Sequence, residues 1–563
     1  MQKPQNKYIP FKPVPLTNRQ WPANRLTQAP IWCSIDLRDG NQALVEPMSV
    51  DAKIAMFKSL VAMGFKEIEI GFPSASQVEF DFTRTLIKEN LIPDDVTIQV
   101  LTQAREHLIE KTFEAIEGAK NVIVHLYINV TPFFRQIVYQ TGREGVTQMA
   151  KRAAQLMVKL KAKSIDRGAG IRFEFSPEGF SSSASDFPVA ICEAMLQAFQ
   201  ATPDNKLILN LPATVESASP NNYADQIEYF IKNIQNRDCA IISVHPHNDR
   251  GTGVASAELA LLAGAERVEG TLFGNGERTG NADLVTIALN LYTQGIDPGL
   301  DFSDMESLCS LYEHCTHMHV HERQPYAGDL VFTAFSGSHQ DAIKKGFDYR
   351  REHEMPMWQM PYLPIDPRDL GRSYEPIIRI NSQSGKGGAV YLLQARYGYK
   401  LPREMHAEFG RIVQNHVDRL GKELSSDQLL RLFLSEYCEI ESPYCLMDHN
   451  IVERGSRDHS IVQFTGLITY RNREYQLHGS GNGPIDAFFS AMQEAHIDGY
   501  TFSGYHEHAI GKGSNAKAVA YIELKHKGKS IFGVGVESNV SIASIMGVIS
   551  AINRSLREDA DDQ

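Results

Sequence analysis

Residues 31–42, IWCSIDLRDGNQ, set the pattern from which the fold is read: a short apolar, partly β-branched run that ends in ionisable residues. Seven more such runs follow, at 66–70 (KEIEI), 96–101 (VTIQVL), 121–127 (NVIVHLY), 171–176 (IRFEFS), 206–211 (KLILNL), 240–245 (AIISVH) and 267–272 (RVEGTL). Between them lie stretches of helical periodicity, such as 51–63 (DAKIAMFKSLVAM) and 255–264 (ASAELALLAG). Eight strand-then-helix units in about 250 residues is the count of a (β/α)8 TIM barrel. An open doubly wound sheet shares the alternation, but the count and the polar clusters after several strands favour an α/β barrel over residues 31–325.

Outside that span the pattern changes. Residues 1–30, rich in Pro, Asn, Gln and Lys, read as an irregular N-terminal arm. Residues 326–437 carry Pro and aromatic residues, as in 358–369 (WQMPYLPIDPRD), unlike a flexible Gly/Ser linker. With helices expected at 403–420 and 426–437, this is a structured linker with small helical subdomains. In the last segment, 438–563, residues 461–495 read strand, turn, strand, Gly479-Ser480-Gly481, then a helix from Pro484. Residues 516–553 repeat the order with Gly533-Val534-Gly535 and a helix from about Ser541. Two β-β-glycine-helix units predict an α+β domain with pseudo-twofold symmetry.

The 563 residues exceed what one core organises, and 42% hydrophobic with 22% charged residues is an ordinary globular balance. A net charge of -12 argues against phosphate neutralisation, so no nucleic-acid partner is expected. Seven scattered cysteines without a C-x-x-C pair point to reduced thiols and a cytoplasmic location. There is no secretory leader pattern and no apolar run of about 18 residues, so no membrane span is expected.

Barrel chemistry collects at the C-terminal strand ends. There the sequence places Asp36 to Gln42, Ser176-Pro177-Glu178, Asn210 to Thr214, His245 to Asp249, and Gly274 to Asn281. His245 and His247, two apart on a strand, share a face. With Asp39 and the amide oxygen of Asn281 they can hold a divalent ion and leave positions open for substrate; the plain alternative is two turn histidines bonded to backbone. Arg38 can stabilise an alkoxide or pair with Glu178 or another carboxylate. Glu178 itself can orient a base or be an ordinary loop carboxylate. His125 is either a satisfied core histidine or a group near the barrel mouth. Gly385-Lys386-Gly387-Gly388 fails the phosphate-loop pattern. The two G-x-G stretches, read as turns, lack a third glycine and leave a carboxylate-cradling amide nest open beside a tight turn.

LRDGNQA (37–43), GFPSAS (71–76), HPHNDRG (245–251) and GNGERTGN (274–281) together resemble the Claisen-condensing family of 2-isopropylmalate, homocitrate and citramalate synthases. TAFSGSHQDA (333–342), WQMPYLPIDPRD and NSQSGKGG (381–388) resemble the connector of its long-form 2-isopropylmalate synthase branch. The resemblance implies an acyltransferase that condenses acetyl-CoA with 2-oxoisovalerate (3-methyl-2-oxobutanoate) and releases 2-isopropylmalate and CoA, the first committed step of leucine biosynthesis. It assigns Asp39, His245 and His247 to a divalent metal, with Asn281 near or on it. Mg2+ is expected, with Mn2+ or Zn2+ as alternatives and K+ as a monovalent activator. Arg38 would stabilise the alkoxide, and Leu101, His125, Ser176 and Thr214 would line the oxo-acid pocket. His339 matches the base, working with Glu178, and Tyr362 a second connector residue; both would reach the partner's active site in a homodimer. The C-terminal repeat resembles a leucine-sensing regulatory domain in which Ile485 lines the effector site, while Asp486 and Gly504 stand where an alanine and a tyrosine are expected. The rival readings are citramalate synthase, homocitrate synthase and a catalytically inactive amino-acid sensor.

Overall fold

The structure, a computed structural model, describes Phe11, residues 13–165, 170–334, 337–376, 389–390, 392–420, 424–438, Ile440, and residues 442–456, 459–471, 473–511 and 516–561. The NSQSGKGG motif with its Gly385–Gly388 run and residues 1–10 of the arm lie outside these. The described chain forms two compact units, one holding residues up to Val331 with Pro364–Arg372, the other holding Phe332–Leu363 and the chain from Ser373.

The first unit is a closed barrel of parallel strands in sequence order: β1 (Ile31–Ser34), β2 (Glu67–Gly71), β3 (Thr97–Gln103), β4 (Asn121–Asn129), β5 (Gly170–Glu178), β6 (Leu207–Ala213), β7 (Ala240–Pro246) and β8 (Arg267–Gly270). β1 closes on β8 with Ile31 opposite Arg267. Each strand is followed by a helix, from Val50–Met63 after β1 to Leu284–Tyr292 after β8. Strands packed on both faces read as near-continuous apolar runs, and β2, β6 and β8 are buried along their whole length. Local chemistry sets the helix starts. Ser49 and Ser76 accept from the backbone of Ala52 and Glu79, and Asp283 from Val285 and Thr286. The arm is fastened to the barrel helix Pro220–Asn233: the Arg19 guanidinium donates twice to Asp225 (2.6 and 2.7 Å), and the Trp21 indole donates to the same carboxylate at 2.9 Å.

In the second unit a short parallel pair, β9 (Thr333–Ala334) and β10 (Glu375–Pro376), accompanies the helix Gly337–His353. Two antiparallel three-stranded sheets follow: β11 (Tyr444–Ser456), β12 (His459–Tyr470) and β13 (Arg473–Gly481); then β14 (Tyr500–Ile510), β15 (Lys517–His526) and β16 (Lys529–Glu537). Helices Pro484–Glu494 and Val540–Asp561 close the two β-β-β-α units. Each unit thus has one strand more than the sequence reading gave it. The second sheet is covered on both faces. Val519, Tyr521, Phe532 and Val534 join the core of helices Arg403–Leu420 and Ser426–Tyr437, while Ile522, Leu524 and Ile531 face the helix Val540–Asp561.

The two G-x-G stretches are not turns. Gly479 and Gly481 are paired residues of β13, and Gly533 and Gly535 of β16. A Cβ on Gly479 would collide with Ala487 O and Ala491 N, and one on Gly533 with Gly547 O and Ala551 N. The glycines are there because a helix backbone crosses the strand at contact distance, and their matching contacts are the clearest mark of the twofold repeat.

Candidate active site

The turn after β1 places Asp36 to Gly40 at the barrel mouth. Asp36 anchors it: its carboxyl accepts from Leu272 N at 3.0 Å and from Ser34 Oγ at 2.8 Å, and burial, partly offset by these bonds, pushes its pKa up to about 7. Asp39 is thereby held facing the ends of β7 and β8, with Arg38 between it and Glu69 of β2. On the other side, the loop after β8 folds back so tightly that a side chain on Gly280 (φ +98°) would strike the Gly274 carbonyl. That fold lays Asn281 against His247 as an isolated bridge.

Four donor atoms converge. His245 Nε2 lies 3.2 Å from His247 Nε2, 2.9 Å from Asn281 Oδ1 and 3.9 Å from Asp39 Oδ2, and His247 Nε2 lies 3.5 Å from the same carboxylate oxygen. Asn281 Nδ2 donates to Asp39 Oδ2 at 2.7 Å. Spacings of this size suit donors around one small ion with bonds of about 2.0–2.2 Å. All four side chains are buried. Burial pushes the Asp39 carboxyl up, but Arg38, His247 and His245 outweigh it and hold it well below the usual carboxylate range. Burial also lowers both imidazoles. The hydrogen bond to Glu269 reverses this for His245, whereas His247 stays below its ordinary value.

A cavity of about 870 Å³ opens over this cluster. Of the residues expected at the site, it is lined by Arg38, Asp39, Leu101, His125, Ser176, Glu178, Thr214, His245 and His247. Phe72, Val78 and Pro47 add apolar wall. His125 Nε2 lies 2.7 Å from Ser176 Oγ, and Thr214 Oγ1 accepts from Gly179 N at 2.8 Å. Burial raises the Glu178 carboxyl above its ordinary value, against a hydrogen bond from Asn129 and the charge of Arg38. Arg38 does not pair with Glu178. Its Nη1 donates to Asp39 Oδ1 at 2.7 Å and its Nε donates to Glu69.

Glu69 was not foreseen, nor was the polar layer beneath the cavity. Gln99 Nε2 donates to Glu69 Oε2 (2.7 Å) and to Glu269 Oε1 (2.9 Å), and Gln99 Oε1 accepts from Arg267 at 2.7 Å. Glu69, His125 and Glu269 form a second cluster of ligand-type atoms, but the Gln99 amide already bridges its two carboxylates. The signal was present in KEIEIG and RVEG: in a barrel strand covered on its outer face, an alternating charge must point inward.

His339 and Tyr362 belong to the second unit, both exposed, with their rings stacked at 3.9 Å. Ile485 is half-buried at the start of the helix Pro484–Glu494, and the Asp486 carboxylate folds back to accept from Asn482 N at 2.8 Å. Gly504 sits at an irregularity in the β14–β15 pairing, beside Glu523. Phe489 on that helix meets Phe502 of β14 at 6.1 Å, so the two elements are neighbours.

Three family models match in succession: HMGL-like over residues 29–311, the post-catalytic domain of alpha-isopropylmalate synthase over 329–394, and the LeuA allosteric (dimerisation) domain over 423–556. A 2-isopropylmalate synthase of Clostridium acetobutylicum is 51% identical over 552 residues, 98% of this chain and 99% of that protein. Those of Pseudomonas entomophila and Azotobacter vinelandii are each 52% identical, covering 99% and 100% of this chain and 98% and 99% of theirs. The chain belongs to the 2-isopropylmalate synthase family. Its members are acyltransferases, and the HMGL-like match covers the barrel that carries the cavity. Buried imidazoles beside a carboxylate are consistent with a divalent metal in a 2-isopropylmalate synthase barrel. Among the described residues no helix is long and apolar enough to cross a membrane.

Proposed function

We propose that this chain condenses acetyl-CoA with 2-oxoisovalerate and hydrolyses the thioester, giving 2-isopropylmalate and CoA for leucine biosynthesis. The observation that carries the reading is the convergence of Asp39, His245, His247 and Arg38 on one cavity in a chain of this family. Asp39, His245, His247 and Asn281 would hold the divalent ion, a mixed nitrogen and oxygen donor set open to Mg2+, Mn2+ or Zn2+, with Mg2+ expected from the family resemblance and K+ as activator. Such an ion, when bound, would polarise the ketone of a chelating 2-oxo acid.

Arg38, held in place by Asp39 and Glu69, supplies a fixed positive charge for the oxygen that becomes an alkoxide. His125, Ser176 and Thr214 give the substrate polar contacts, and Leu101 offers an apolar wall to a branched side chain. Glu178, lifted toward neutrality, is suited to proton transfer. His339 of the partner subunit takes the methyl proton of acetyl-CoA, working with Glu178, and Tyr362 of the partner subunit completes the site. The active form is therefore a homodimer, and its scattered cysteines suit the reducing cytoplasm. The C-terminal units take leucine as effector, with Ile485 in the lining. Asp486, already engaged by the Asn482 amide, is turned toward its own helix start.

The deciding assay follows CoA release with a thiol reagent, using acetyl-CoA, a panel of 2-oxo acids and Mg2+ or Mn2+. The highest kcat/KM is expected for 2-oxoisovalerate, abolished by EDTA. A higher value for pyruvate or 2-oxoglutarate would overturn the substrate assignment, and the absence of CoA release with every acid would overturn the chemistry. Isothermal titration without leucine heat would sink the effector reading alone.

A further inference from the structure

We propose that Glu269 is a positioning residue of the metal site, holding His245 in the tautomer and orientation that present Nε2 to a divalent ion. This rests on the metal-site reading above. Glu269 is fully buried on β8, and its Oε2 lies 2.9 Å from His245 Nδ1. An ionised carboxylate only accepts, so the proton of a neutral imidazole is drawn to Nδ1 and the lone pair is left on Nε2.

The carboxylate is itself fixed. Oε1 accepts from Gln99 Nε2 and Arg267 Nη1, both at 2.9 Å, and Oε2 accepts from Asn210 Nδ2 at 2.9 Å beside the histidine. Four donors on two oxygens leave it no freedom to turn. Arg267, also buried, supplies the opposite charge that makes the burial affordable. The second ligand histidine has no such support: His247 Nδ1 faces a donor, Arg278 Nη2, at 2.6 Å. Glu69 and Glu174, the other carboxylates of this layer that lie beside an imidazole, both face His125, which is not a candidate ligand. Orientation of the ligand set from the barrel floor therefore falls on Glu269.

The test uses Mn2+ binding to the full-length chain, read from the EPR signal of free Mn2+, together with far-UV circular dichroism. Glu269→Gln should weaken Mn2+ about 10–100-fold, the cost seen when a partner behind a ligand is removed, with the fold intact. Glu67→Gln is the control. It removes a buried carboxylate from the same Arg267 (2.6 Å) without touching an imidazole, and it should bind Mn2+ as the wild type does. A folded Glu269→Gln chain with wild-type affinity would overturn the proposal and leave the metal site standing. A wild-type chain that binds no Mn2+ would overturn the metal-site reading, and the proposal with it. If Glu269→Gln does not fold, 15N shifts of labelled histidine in the metal-free wild type decide, with His245→Asn giving the assignment: a proton on Nδ1 supports the proposal, and a proton on Nε2 overturns it.

Discussion

The imidazole of His339 lies flat on the phenol ring of Tyr362, with centroids 3.9 Å apart and planes inclined by 18°. Tyr362 is 61% exposed and holds a positive φ of 61°, a backbone state that costs a bulky residue of order 1–3 kcal/mol. The proposed function has this pair supplied to the partner subunit's site. Chains carrying Asp39→Ala and chains carrying His339→Ala should each be inactive alone. Coexpressed, they should regain roughly a quarter of wild-type turnover, because half of randomly paired twofold dimers then hold one intact site. No recovery in mixed dimers isolated with two different tags would place metal and base in the same chain.

Working with the His339 base under the proposed function, Glu178 acts in its ionised form, and burial raises its pKa. Activity should therefore fall on acidification at a higher pH than an ordinary glutamate, about 4.3, would give. The Asn129 hydrogen bond opposes that rise, so Asn129→Ala should shift the acid limb of kcat/KM further up in pH. A limb that stays put would remove Glu178 from the proton-transfer step.

Arg38 reaches Asp39 and Glu69 through different nitrogens of one guanidinium. A lysine has a single ammonium and no fork. Arg38→Lys should lower kcat about 100–1,000-fold, as when one oxyanion donor is lost, with a much smaller change in KM for the 2-oxo acid. Equal effects on both would mean that Arg38 only binds substrate.

At Gly533 a methyl group would collide with the Gly547 carbonyl and the Ala551 amide. Gly533→Ala should destabilise the C-terminal domain by about 1–3 kcal/mol, the usual cost of overpacking, visible as a lower midpoint in calorimetry. An unchanged midpoint would mean that the helix Val540–Asp561 moves off the sheet without penalty.

The barrel was legible because parallel strands buried on both faces leave apolar runs at a steady interval, and its chemistry because polar residues stop those runs at one end. What escaped has physical reasons. β14 (YTFSGYHEHAI) is mostly exposed and has no buried alternation to betray it, as the paired strands β15 and β16 do. Gly479 and Gly533 read as turn glycines because sequence shows flexibility but not the helix that crosses above. Glu69 and Glu269 were passed over because a charge in a strand is ordinarily a solvent-facing one. Only closure of the sheet makes it an interior one.

The Gln99 amide joins the carboxylate behind Arg38 to the carboxylate behind His245. Under the proposed function, the group that would meet the substrate's oxygen and the group that would meet the metal thus share one keystone, and neither can be resized in isolation. Laboratory evolution toward a larger or smaller oxo acid should for that reason leave this floor alone and find its improvements in the wall of Leu101, Phe72 and Val78, where a change in one side chain is not transmitted to the metal.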